Sequence, residues 1–135
     1  MTYIPDSLRQ IVIARAKNKC EYCLVDEQYG IYSHEIDHII PEKHRGETIE
    51  ANLCYACLAC NRNKGSDFAS FDPDSDTVAL LYNPRQEQWA THFRLDEARI
   101  IPLTPCGRVT EFILKFNEPK RLLNRQRLLK LKCYP

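Results

Sequence analysis

Apolar residues recur along the chain at two different spacings, and these spacings predict its elements. Leu8, Ile11 and Val12 share helical spacing with Arg15, so a first helix is expected to bury one side. Ser7 should cap it and Gln10 should close a capping box, with the helix ending at Asn18 and Lys19. Residues 33–40 are rich in isoleucine and closed by Pro41, which predicts a strand. Residues 41–49 hold a proline, a glycine and five charged or histidine side chains (Glu42, Lys43, His44, Arg45, Glu47) together with Thr48, the pattern of an exposed loop. A second short strand is expected over 51–55, then a helix over 58–64 stopped by Gly65.

The second half reads as strands followed by helices. Residues 68–76, with Pro73 and three aspartates, predict a break. Residues 77–82 alternate weakly and end at Asn83-Pro84; 88–94 place Trp89, Thr91 and Phe93 on one face; 99–103 form a third candidate strand. Together they predict a small antiparallel sheet. Thr104-Pro105 opens a helix whose inner stripe is Val109, Phe112, Ile113 and Phe116. Pro119 starts a last, basic helix carrying Leu122, Leu123, Leu128, Leu129 and Leu131. Internal repeats and low-complexity segments are absent from the sequence.

Composition narrows the class. At 135 residues and 44% hydrophobic content the chain fits a single domain, 1–135, with a modest core. A net charge of +1 gives no global field that marks a nucleic-acid binder. Residues 120–135 nonetheless hold six basic side chains and no acid. Seven cysteines are an odd number, against a fully paired disulfide framework. The first residues lack a basic segment followed by an apolar core, and no run approaches the roughly 18 apolar residues of a membrane span. The expected setting is cytoplasmic, with no membrane partner.

Cys20 and Cys23 form one C-x-x-C pair, Cys57 and Cys60 another, with 33 residues between them. Two such tight turns can complete a tetrahedron of thiolates around a structural zinc. Cys54 with Cys57 also reads C-x-x-C; Cys57 and Cys60 are preferred because helical residues follow at once. Cys106 and Cys133 read as unpaired thiols. A redox role for C-x-x-C requires a thioredoxin-like βαβ context that the pattern lacks. Asp37-His38, Asn52 and Asn61 lie between or directly after the cysteine pairs. Their oxygen and imidazole groups suit a second, hard-metal site. His34 stands four residues earlier and reads equally as a site neighbour or a sheet-edge residue; His44 and His92 read as structural.

These residues resemble the HNH endonuclease family, whose catalytic unit is called ββα-metal. The resemblance rests on Asp37-His38-Ile39-Ile40-Pro41, Asn52-Leu53 and Cys57-Leu58-Ala59-Cys60-Asn61-Arg62-Asn63-Lys64, with residues 15–23 resembling the opening of its zinc-bearing, four-cysteine branch. It covers 8–66 as a nuclease core and leaves 67–135 as a C-terminal extension. The implied fold is α+β: a zinc-stapled ββα-metal unit, an N-terminal helix, and a C-terminal small antiparallel sheet plus helices. One position departs from the pattern. Asn61 stands where the family often has histidine; its amide oxygen still binds a hard cation, while the lost imidazole disfavours softer ions.

The resemblance implies metal-dependent hydrolysis of DNA phosphodiester bonds, with DNA as partner, zinc as structural cofactor and Mg2+ or Mn2+ as catalytic cofactor. His38 would act as general base, since an imidazole exchanges protons near neutral pH. Asp37 and Asn61 would hold the cation, and Asn52 would orient the loop that presents His38. Arg62 and Lys64 read equally as phosphate contacts or as solvated helix charge, and Arg121, Arg125 and Arg127 equally as phosphate contacts or as the solvated side of a helix that packs its leucines on the core. Adjacent residues on a flat strand face opposite ways, so Asp37 and His38 share a site only if the strand bends or bulges. A non-catalytic zinc module that binds nucleic acid or protein is the alternative.

Overall fold

A computed structural model describes residues 2–135. Helix α1 (Asp6–Ala16) leads into β1 (Glu35–His38) and β2 (Leu53–Ala56), which pair antiparallel, and then α2 (Leu58–Lys64). Asp37 faces Cys54 across this ladder, and His38 faces Leu53. The expected order of strand, loop, strand, helix is therefore present, and Gly65 ends α2 at positive φ, 51°. α1 starts two residues earlier than expected. Pro5 stands at its cap without a side-chain bond, and Ser7 lies inside the helix. Lys17 and Asn18 then turn through positive φ and deliver the chain to Cys20.

The distal half departs from the predicted single sheet. It holds two separate hairpins, β3 (Ala69–Asp72) with β4 (Thr77–Leu80), and β5 (Phe93–Asp96) with β6 (Arg99–Pro102). Helix α4 (Pro105–Leu114) packs against β3, β4 and β6, so each hairpin is covered by the helix. The segment read as a break contains β3, because Pro73, Asp74 and Asp76 confine themselves to the turn and Asp72 closes the strand. Residues 89–92 form a single helical turn, α3 (Trp89–His92), not a strand. Trp89 and Phe93 stack at i, i+4 with centroids 5.1 Å apart, and Trp89 Nε1 donates to Tyr22 O at 2.8 Å. α4 opens as expected, with Thr104 Oγ1 accepting from Gly107 N at 3.0 Å.

One core joins the two halves. Cys20, Tyr22, Cys54 and Cys60 pack with Tyr82, Phe93, Ile100, Val109, Leu114 and Phe116. Phe112 does not join them; it is 75% exposed. The last helix, α5 (Pro119–Lys130), also turns a different face inward. Arg125 and Leu128 are buried, whereas Leu131 is 70% exposed. The guanidinium of Arg125 is satisfied by Ala98 O at 2.8 Å and Asn117 Oδ1 at 3.0 Å, which is what allows a charge inside.

Asp72 fixes the β3–β4 turn to α4. Arg108 donates to both its carboxylate oxygens, at 3.0–3.3 Å, and Ser75 Oγ donates at 2.6 Å. Arg108 first, then Ser75, holds the Asp72 carboxyl far below the usual carboxylate range. A depressed folded-state pKa contributes stability above the unfolded value, near 3.9, that is lost as pH falls. Asp72→Asn should therefore lower the melting temperature by several degrees at pH 7. The gap to wild type should narrow below about pH 4. Thermal melts at pH 7 and pH 3 check this; an equal gap at both would contradict the assignment.

Candidate active site and cysteine cluster

Each C-x-x-C makes the same turn. Cys23 N points at Cys20 Sγ, and Cys60 N at Cys57 Sγ, both at 3.4 Å; the second thiol thereby caps α2. The two turns meet, with Cys23 and Cys57 sulfurs 3.7 Å apart. All four sulfurs lie within 4.8 Å of one another, the donor set and closeness that a tetrahedral soft-metal site requires. Cys54 stays outside this group, with its thiol near Tyr22 OH and Asp37. Hydrogen bonds from Cys20 and then from Cys57 and Cys60 push the Cys23 thiol well down, whereas burial pushes Cys20 and Cys60 up. Arg121 reaches in from α5, with Nη2 at 2.9 Å from Cys60 Sγ. Burial works against its charge, but the facing thiolates raise its pKa above that of an ordinary arginine.

Asn52 shapes the loop between β1 and β2. Its Oδ1 accepts from Ile40 N, and its Nδ2 donates to Ile40 O and Glu47 O, each at 2.9 Å. Gly46 is required beneath it, because a Cβ there would stand 1.6 Å from Ile40 O. At the end of β1, His38 Nε2 lies 2.9 Å from Thr48 Oγ1 and 3.4 Å from Glu42 Oε1. That loop therefore fixes the imidazole ring.

Asp37 turns inward. Tyr22 OH donates to its Oδ2 at 2.8 Å, and Lys64 Nζ lies 3.1 Å from the same oxygen. Burial pushes the Asp37 carboxyl up, opposed by Lys64 and Tyr22. Lys64 also donates to His38 O at 2.9 Å, pinning α2 onto β1. One turn earlier on α2, Asn61 Nδ2 donates to Glu35 Oε1 at 2.9 Å. Glu35 and Asp37 thus lie under the helix, as strand alternation requires.

Asp37, His38 and Asn61 line one shallow depression of about 240 Å3, with Glu42, Gly65 and Ser66. Its oxygen-bearing side chains are of the hard-donor type that a magnesium-class ion takes, and the Asp37 carboxylate among them is already paired with Lys64 and Tyr22. Sequence reasoning missed Glu35, Glu42, Thr48 and Tyr22. Glu35 sits two positions before Asp37 on the same strand face and could have been found from that period. The others come from loops whose approach no spacing encodes.

The expected phosphate contacts separate into two groups. Arg62 and Arg127 are exposed, Arg62 next to Asn61 and 3.9 Å from Glu35. Lys64 and Arg125 are each 1% exposed, and Arg121 is occupied by the thiols, so these three are corrected from surface contacts to internal bonds. The reason is geometric: each lies on the side of its helix that packs inward.

With this geometry in place, comparison with known proteins identifies the segment. The model of the HNH endonuclease family matches residues 20–67. No curated protein and no solved structure matches the chain.

Proposed function

We propose that this HNH-bearing chain is an endonuclease that hydrolyses DNA phosphodiester bonds with one divalent cation. The observation that carries the proposal is the joint presence of a fixed His38, Asp37 and Asn61 on one open depression, in a segment of HNH type. Thr48 and Glu42 hold His38 at Nε2, so Nδ1 is the atom that takes a proton from the attacking water. Asn61 and Asp37 are the residues that hold the cation, with Glu35 adjoining. When bound, Mg2+ or Mn2+ supplies charge neutralisation at the phosphate and at the leaving 3′ oxygen. Lys64, which contacts both Asp37 oxygens, and Tyr22, which donates to one, fix the orientation of the carboxylate. Arg62, exposed next to Asn61, contacts the DNA backbone, with Arg127 as a second exposed candidate. The four-thiol cluster takes zinc and acts in folding. Seven free thiols suit a reducing cytoplasm, and among the described residues no helix is long and apolar enough to cross a membrane.

A supercoiled plasmid tests the reading. Nicking should occur with Mg2+ or Mn2+, stop with EDTA, and return when the divalent ion is restored. A folded, zinc-loaded protein that leaves the plasmid intact with both ions would favour the non-catalytic zinc module.

A further inference from the structure

Outside the HNH segment, three side chains of different elements converge. Glu87 precedes α3, His92 ends it, and Cys106 is the second residue of α4. The carboxylate, imidazole and thiol ligand atoms all lie within 4.8 Å of one another. The imidazole and the carboxylate are oriented from outside the group. Thr104 Oγ1 stands 2.6 Å from His92 Nδ1, which directs Nε2 toward Glu87 Oε2 at 2.8 Å. The other carboxylate oxygen of Glu87 accepts from Asn83 N at 2.9 Å. A hydrogen bond on the far nitrogen of a histidine and another on the far oxygen of a carboxylate are the usual supports of metal ligands.

Glu87 and Cys106 also lie on the wall of a cavity of about 510 Å3, which Ile39, Ile40, Phe68 and Leu81 help to line. A carboxylate–imidazole ion pair alone needs no thiol beside it and no adjoining space. We propose that Glu87, His92 and Cys106 form a second transition-metal site, of zinc class, with its fourth position open to this cavity.

The donor chemistry selects the ion. Imidazole and thiolate favour zinc or cobalt over magnesium and calcium. Three protein ligands with one open position differ from the closed four-thiolate cluster and match the arrangement in which zinc keeps a water or a small ligand. The nitrogen–oxygen edge of a zinc tetrahedron is about 3.3 Å, so the Nε2–Oε2 contact opens by about half an ångström on loading. Glu87 lies in a loop, and α3 is only four residues long, so this adjustment moves no long element. The site depends neither on DNA nor on cleavage, and it stands or falls apart from the nuclease reading.

The test is metal binding by the full chain. Zinc-loaded, desalted wild type should retain about two zinc ions per chain, while Cys106→Ser and Glu87→Gln should each retain about one. Cobalt added to protein holding a single zinc should give a thiolate-to-cobalt charge-transfer band in wild type. That band should be absent in Cys106→Ser. Circular dichroism and the retained first zinc show that both variants are folded; Cys106 is half-buried, and serine keeps its size. Wild type that retains only one zinc under excess metal overturns the site. So does a second zinc retained equally by Cys106→Ser, which would be adventitious surface binding.

Discussion

Replacing His38 by alanine should lower DNA cleavage by about 10²-fold or more, the usual contribution of a positioned base, without unfolding the protein. The imidazole is held by Thr48 and Glu42 at the rim of an open depression, so its loss leaves neither a large cavity nor a buried unpaired charge. Zinc content and melting temperature should stay near wild type, and divalent-metal binding should persist. Asp37 gives a different outcome. Its removal leaves Lys64 buried without its carboxylate, and breaking one side of such a pair costs about 3–5 kcal/mol. Asp37→Ala should therefore lose stability together with activity, and excess Mg2+ or Mn2+ should restore only part of the rate. Asn61→His should stay active and tolerate softer metals better. A plasmid-nicking time course on these three variants, alongside thermal melts, checks the set. Wild-type cleavage by His38→Ala would refute the base assignment.

Cys23→Ser or Cys60→Ser should abolish both zinc binding at the cluster and folding. Structural zinc contributes about 10–16 kcal/mol in small domains, as much as or more than the whole stability of an ordinary domain. The loss should be severe here because Cys20, Cys23 and Cys60 are also core residues, packed with Phe93 and Phe116. Cys54→Ser should keep the zinc, since its thiol faces Tyr22 and Asp37 and not the cluster. Elemental analysis with far-ultraviolet circular dichroism separates these outcomes. Folded wild type that contains no zinc would disprove the role of the cluster.

The cluster and the ββα order were legible because both are local. A C-x-x-C turn needs four residues, and α2 begins on the thiol that caps it. Asp37, His38 and Asn61 were legible as members of one site through the family resemblance, but the bulge expected to join Asp37 and His38 is absent from the regular β1–β2 ladder. Period 2 places Glu35 and Asp37 under α2, and only the loop pinned by Asn52 brings His38 to the same depression. α5 misled for a physical reason. Its leucines suggested an inner stripe, but Arg121, Arg125 and Leu128 share the buried side at i, i+4 and i+7. The bonds that make this possible come from Cys60 and Ala98, far away in sequence, and from Asn117, just before the helix. A run of basic residues is ordinarily read as solvated, and nothing in the local pattern announces partners that distant. Residues 68–76 and 88–94 failed in a simpler way, where turn residues hid a short strand and an aromatic alternation imitated one.

Arg121 also sets where this protein can be cut. Four thiolates around a zinc ion carry a net charge of about minus two, and the guanidinium of Arg121 offsets about half of it. Tyr134 adds a bond from its hydroxyl to Cys23 O at 2.8 Å. A fragment trimmed to residues 20–67 would keep every ligand of the cluster yet expose an uncompensated dianion and half of a shared core. Transplanting the HNH segment onto another scaffold therefore means carrying α5 with it, or supplying a substitute cation at the same distance from Cys60.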